Sequence, residues 1–178
     1  MTLFIVFLRG INVGGHSVKK NTLQETFTSL GFQNVSTYRQ SGNVIFEESS
    51  ENVEEIKKKI EIKLKVALGY DVAVFVRTIT QLKNIIKSEP FKGTQNKENT
   101  SFLVTFLAST PSEFLESPAI IPKSTAEVIS SKNTEVFSET HGSGEGALPN
   151  PFIESKLKVK ATTRNMNIIR EIVEKYGC

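Results

Sequence analysis

The sequence contains a single cysteine, Cys178, at its last position. One thiol cannot close an intramolecular disulfide, and it has no partner for a cysteine-based metal site. That usage fits a reducing compartment, so a cytoplasmic protein is expected. Long hydrophobic runs are also missing. The apolar stretch at residues 3–8 is far shorter than the roughly 20 residues a spanning helix needs. No basic segment precedes it, and it leads straight into Arg9-Gly10, so it reads as a buried strand rather than a signal peptide. No membrane partner is expected. Histidine is scarce too. His16 and His141 both lie in glycine-rich stretches, and no pattern in the sequence pairs either with a carboxylate or a nucleophile. Either could act as a general acid or base. Zinc, Ser-His-Asp and Cys-His chemistry find no support in the spacing. Low-complexity tracts and short-period repeats are absent.

What is present supports a folded chain. With 178 residues, 38% of them hydrophobic and 23% charged, a core can form without staples and disorder is excluded as the default. The net charge of +3 is only mildly basic. Lys57, Lys58 and Lys59 stand beside Glu54, Glu55 and Glu61, as on a solvated helix face. Of 22 basic residues only five are arginine: Arg9, Arg39, Arg77, Arg164 and Arg170. Several fall in Gly/Ser/Asn-rich segments, where the planar five-donor guanidinium offers what a lysine cannot.

Periodicity predicts the elements. Residues 3–8 are apolar throughout, as in a strand covered on both faces. Leu23, Phe27 and Leu30 recur at helical spacing, with Asn21 or Thr22 as N-cap and Gly31 as stop. Residues 35–39 and 44–47 read as strands flanking Gln40-Ser41-Gly42-Asn43. Val53, Ile56, Ile60, Leu64 and Leu68 outline a long amphipathic helix ended by Gly69, and residues 72–76 read as a strand. The order is βαββαβ, the ferredoxin-like arrangement. A looser second half is predicted. It has a linking helix at 79–87, a strand at 101–107 and a helix starting at Pro111 over 111–116. A hairpin follows, 126–130 with 134–138, turning at Lys132-Asn133. Residues 96–100 read as an exposed loop, and the glycine-rich 141–149 as a second loop. A short helix at 153–157 precedes a final helix started by Thr163, burying Ile168, Ile169, Ile172, Val173 and Tyr176. The expected organisation is an α+β chain of two ferredoxin-like halves in tandem, residues 1–78 and 79–178, plus the C-terminal helix.

In a βαββαβ unit the first and third strands are adjacent and antiparallel. That sets Arg9-Gly10 beside Ser41-Gly42-Asn43, with Asn12, Gly14, Gly15 and His16 over the same edge and the first helix N-terminus close by. Backbone N–H groups, a positive helix end and a guanidinium then converge, a recurrent recipe for phosphate or carboxylate. The string is neither a P-loop nor a dinucleotide fingerprint. Equally, a long turn with Arg9 paired internally would explain it. Tyr38, Gln40, Ser41 and Asn43 form a polar patch that also suits a tight hairpin. Thr163, Arg164 and Asn165 open the last helix in this reading. A cation in the first turn opposes the macrodipole, a conflict that a bound anion or a nearby acid would remove. The third-strand aromatics that RNA-recognition domains use are missing from Val44-Ile45-Phe46.

Three strings carry a resemblance: Arg9-Gly10-Ile11-Asn12-Val13-Gly14-Gly15; Thr37-Tyr38 with Gln40-Ser41-Gly42-Asn43-Val44 and Phe46; and Ala161-Thr162-Thr163-Arg164-Asn165. With Ser155-Lys156-Leu157, they resemble the signature of the bacterial domain of unknown function 1697 family, over nearly the whole chain. The resemblance implies a duplicated ferredoxin-like architecture. It also implies that Arg9, Asn12, Gln40, Asn43, Arg164 and Asn165 share one site, but no reaction and no cofactor. Many relatives carry Trp and Thr soon after the Arg-Asn pair, where this chain has Met166, Ile168 and Ile169. The expected function is binding of a small anionic ligand by a site shared between the halves. A structural role for the Arg/Asn strings and a nucleic-acid binding module are the alternatives.

Overall fold

The computed structural model describes residues 1–12, 17–39, 42–94, 99–142 and 148–177. They form a mixed α/β fold with two antiparallel sheets and five helices, in two compact units, Met1–Leu82 and Lys83–Cys178. None of the helices is long and apolar enough to cross a membrane.

The first unit runs β1 (Thr2–Arg9), α1 (Lys20–Thr28), β2 (Gln33–Tyr38), β3 (Asn43–Glu48), α2 (Val53–Leu68) and β4 (Ala73–Thr78). Its sheet is ordered β2-β3-β1-β4, with every pairing antiparallel. Phe4, Ile5, Val6 and Phe7 are all fully buried, so β1 is covered on both faces as its unbroken apolar run predicts. Phe4, Val6, Leu8, Val44, Phe46, Val74 and Val76 point to one side and meet Leu23, Phe27, Ile56, Ile60 and Leu64 of the helices. Phe46 stacks on Phe32 at 4.1 Å and on Phe4 at 5.7 Å. Rings of this size each contribute roughly 1.5–3 kcal/mol on burial.

Local chemistry bounds the helices. Asn52 accepts the Glu55 N–H at 3.2 Å to cap α2. Gly69 ends it with φ 81°, a left-handed turn that only glycine takes without strain. α3 (Ile79–Lys87) opens on a capping box: Gln81 Oε1 accepts the Thr78 N–H at 2.8 Å, and Thr78 Oγ1 accepts the Gln81 N–H at 3.2 Å. α1 corrects an expectation. Asn21 and Thr22 lie inside it, and its N-cap is Lys19, with no side-chain cap. Burial of Leu23, Thr26 and Phe27 sets this start, since tertiary packing outweighs cap preference in a nine-residue helix.

The second unit contains β5 (Thr100–Leu107), β6 (Ala119–Ile120), β7 (Ala126–Lys132), β8 (Glu135–His141), α4 (Asn150–Leu157), β9 (Ala161–Asn165) and α5 (Met166–Tyr176). The sheet order is β6-β7-β8-β5-β9. Without the two-residue β6, the order β7-β8-β5-β9 repeats β2-β3-β1-β4. Leu107, Val128, Val136, Ile153, Leu157 and Ala161 form its core against α4.

Three expectations are corrected in this unit. Residues 111–116 form no helix. Six residues barely complete a helical nucleus, and Phe114, the residue that should anchor them, is 50% exposed. The hairpin turns at Asn133-Thr134, one residue later than expected, because Lys132 still pairs with Glu135 and Asn133 takes the positive φ of 55°. Most consequentially, Thr163 does not start the last helix. Residues 161–165 are strand β9, paired with β5 from Leu107↔Ala161 to Leu103↔Asn165. Two β-branched threonines suit a strand. Asn165 takes over as cap, its Oδ1 accepting the Asn167 N–H at 2.9 Å. α5 then buries Met166, Ile169 and Ile172, while Ile168, Val173 and Tyr176 are half-buried.

Candidate functional site

The end of β1 and the β2–β3 hairpin meet at one edge of the first sheet. Phe7 pairs with Asn43, and the Leu8 N–H donates to the Gly42 carbonyl at 2.8 Å. After β1 the chain turns through Gly10 (φ 84°) and Asn12 (φ 57°), laying Ile11 over Gly42. The approach is close: a Cβ on Gly42 would stand 2.7 Å from Ile11 Cδ1. Glycine is therefore required at position 42 by contact as well as by its φ of 70°. Asn12 Oδ1 accepts the Val18 N–H at 2.8 Å. This bond ties the end of β1 to the segment entering α1, whose first turn has neither a side-chain cap nor an acidic residue. Those first N–H groups retain the partial positive charge of a helix start.

Register places the side chains. Tyr38, Asn43, Phe7 and Phe75 form one row across four strands, on the face opposite the helix-covered core. Arg9 follows two residues along on the same face. Asn43 is 1% exposed, and its Nδ2 donates to the Tyr38 carbonyl at 3.1 Å, closing the hairpin from within. Arg39, at the hairpin tip with φ 55°, stacks its guanidinium over the Tyr38 ring at 5.8 Å. Arg39 was not among the expected site residues. Its signal was present, an arginine in the Tyr38–Asn43 string. Among the expected residues, Arg9, Gly10, Asn12, Tyr38 and Asn43 thus gather at one edge. Gly14, Gly15, His16, Gln40 and Ser41 lie outside the described residues.

Thr163, Arg164 and Asn165 belong to β9 of the second unit, and they diverge. Thr163 faces α4, within a chain of Thr105 Oγ1 (2.7 Å) and Asn150 Oδ1. Arg164 faces the other way. Its guanidinium donates to Thr162 Oγ1 and to the Thr163 carbonyl, both at 2.9 Å. Burial pushes it down to about 10, which still leaves it charged at neutral pH. The conflict with a helix dipole disappears, because Arg164 is a strand residue. Asn165 is occupied as a cap.

A second polar cluster was not expected. His141 has its Nε2 3.1 Å from Glu139 Oε1 and its Nδ1 3.1 Å from Thr100 Oγ1. Glu139 and His141 are two apart on a strand, so they share a face; that spacing was the signal. No three-residue cluster of His, Cys, Asp and Glu suited to a metal occurs among the described residues.

A model of proteins of unknown function (DUF1697) matches residues 1–137, which include the whole loop edge just described. The chain belongs to the DUF1697 family. The family match spans the strings around Arg9 and Asn43 and stops short of Arg164. Among solved structures, this DUF1697 chain is similar to the conserved bacterial protein SP0830 from Streptococcus pneumoniae, with a TM-score of 0.69 and 20% identity. That similarity covers 100% of this chain and 99% of the other, so the two share a fold from end to end. No curated protein matches the chain.

Proposed function

We propose that the chain binds a small anionic molecule, carrying phosphate or carboxylate, at the loop edge of its first sheet. The observation that carries this reading is the Asn12–Val18 hydrogen bond. It draws an uncapped helix start toward the end of β1, where Arg9 lies, while Ile11 on Gly42 brings in the hairpin with Arg39. Arg9 and Arg39 neutralise the ligand's charge, and the first N–H groups of α1 supply hydrogen bonds. Tyr38 and Asn43 support the edge. The reading assigns no reaction.

We further read the two units as ferredoxin-like halves in tandem. The repeated neighbour order of β2-β3-β1-β4 and β7-β8-β5-β9 supports this.

A thermal-shift screen with phosphate, pyrophosphate, nucleotides and di- and tricarboxylates tests the binding. A ligand is expected to raise the melting temperature of the wild type and to lose most of that effect in Arg9→Ala and Arg39→Ala. Arg164→Ala forms a separate arm. Equal shifts in wild type and variants, or none anywhere, reject the reading. A second reading rests on a specific observation: the Asn12 and Asn43 amides both bond inside the protein. On that reading the strings lock the loop edge, and Asn43→Ala destabilises the chain while no anion does anything.

A further inference from the structure

The Thr100–His141–Glu139 cluster lies in the second unit and plays no part in the anion site. Register builds it: Thr100 pairs with His141 across β5 and β8, and Phe102 pairs with Glu139. Hydrogen-bond chemistry then fixes its direction. An ionised carboxylate only accepts, so His141 Nε2 carries the proton and donates to Glu139 Oε1. Nδ1 is left as an acceptor, and the Thr100 hydroxyl donates to it. A hydroxyl, an imidazole and a carboxylate stand in a single line, the arrangement in which an acid orients a base and the base activates a nucleophile.

Exposure divides the roles. The Glu139 side chain is 10% exposed and the His141 side chain 32%. The carboxylate is held and the imidazole can be reached. Glu139 Oε2 is buried with no hydrogen-bond partner, so the carboxylate's one side-chain bond among the described residues is the one to His141. A cross-strand Thr–His contact kept for folding alone would not require burying a carboxylate with an unsatisfied oxygen.

We propose that Thr100 is a nucleophilic hydroxyl, with His141 as its general base and Glu139 as the positioning residue, and that it accepts an acyl group from an activated ester. Thr100 Oγ1 bonds to the ester carbonyl carbon while its proton passes to His141 Nδ1. The bond from that carbon to the leaving oxygen then breaks, and the imidazolium returns the proton to the leaving group. The products are an O-acyl threonine and a free alcohol or phenol.

The full chain treated with p-nitrophenyl acetate, followed by peptide mass spectrometry, tests this. Acetylation at Thr100 is expected to outrun that at Thr134, whose hydroxyl donates to the Glu135 carboxylate. It should persist in Thr100→Ser and fall about 100-fold in His141→Gln. Glu139→Gln keeps an acceptor oxygen but no charge. It should lower the rate about tenfold, and Glu139→Asp, which restores a carboxylate, should recover part of that loss. A purely structural Glu139 would leave a folded Glu139→Gln at the wild-type rate. Should His141→Gln not fold, as judged by circular dichroism, the Glu139→Gln and Glu139→Asp rates decide. Labelling spread evenly over the threonines, or a rate indifferent to both substitutions, overturns the proposal.

Discussion

Replacing Gly42 with alanine tests the packing on which the loop edge depends. Two effects add. An L-residue at φ 70° costs about 1–2 kcal/mol. The new Cβ also stands 2.7 and 2.9 Å from two Ile11 carbons and 3.2 Å from Leu8 Cβ. Ile11 is 6% exposed and Leu8 2%, so neither can swing into solvent. Overpacking of this kind costs about 1–3 kcal/mol. Gly42→Ala should therefore destabilise by roughly 2–5 kcal/mol. Gly10→Ala is the control: its φ is 84°, but none of the described residues comes within 4 Å of its Cβ position, so only the backbone term applies. Ile11→Ala placed in the Gly42→Ala background removes the clash. The double variant should be less destabilised than the sum of the singles by roughly 1–3 kcal/mol. Urea unfolding followed by far-UV circular dichroism suits a chain without tryptophan. Equal losses for Gly42→Ala and Gly10→Ala, with no coupling to Ile11, would refute the packing of the β1 loop on the hairpin.

Other outcomes follow from single contacts. Asn165→Ala removes the cap of α5 and should cost about 0.5–2 kcal/mol, whereas Asn165→Asp should not, as the same denaturation experiment will show. Glu48 has its carboxyl held below the ordinary glutamate value of 4.5, mainly by the Ser50 N–H and then by the Ser49 hydroxyl. Because the folded form binds the proton less readily, its contribution is present above 4.5 and lost as pH falls below the depressed value. Glu48→Gln should therefore be slightly less stable at neutral pH, by under about 1 kcal/mol because its hydrogen bonds lie at the surface, and should converge with the wild type in acid. A gap that widens on acidification contradicts the assignment. Anion-dependent stabilisation lost in Arg9→Ala or Arg39→Ala, and His141-dependent acylation of Thr100, complete the set.

Wherever one residue pattern had one physical solution, the sequence was readable. The six-residue apolar run could only be a strand covered on both faces. Asn52 and Gly69 bracket α2 because a cap and a left-handed stop are local devices. The threonines before Arg164 admitted two solutions. Thr163 could cap a helix or extend a strand, and pairing with β5, more than fifty residues earlier, decided for the strand. The same decision turned Arg164 from a cation in conflict with a helix into a half-buried strand guanidinium bonded to its own neighbours.

Composition and periodicity determined that its one thiol closes no intramolecular disulfide and that βαββαβ opens the chain, because those conclusions depend on short-range chemistry and on alternation along single strands. That order, with its antiparallel first and third strands, then brought Arg9 and Asn43 to one edge. Where α1 begins, where Arg39 rests and what faces His141 were decided only in three dimensions. Each depends on the register of strands far apart in sequence, and register is set by the burial of whole faces rather than by any residue that carries the chemistry.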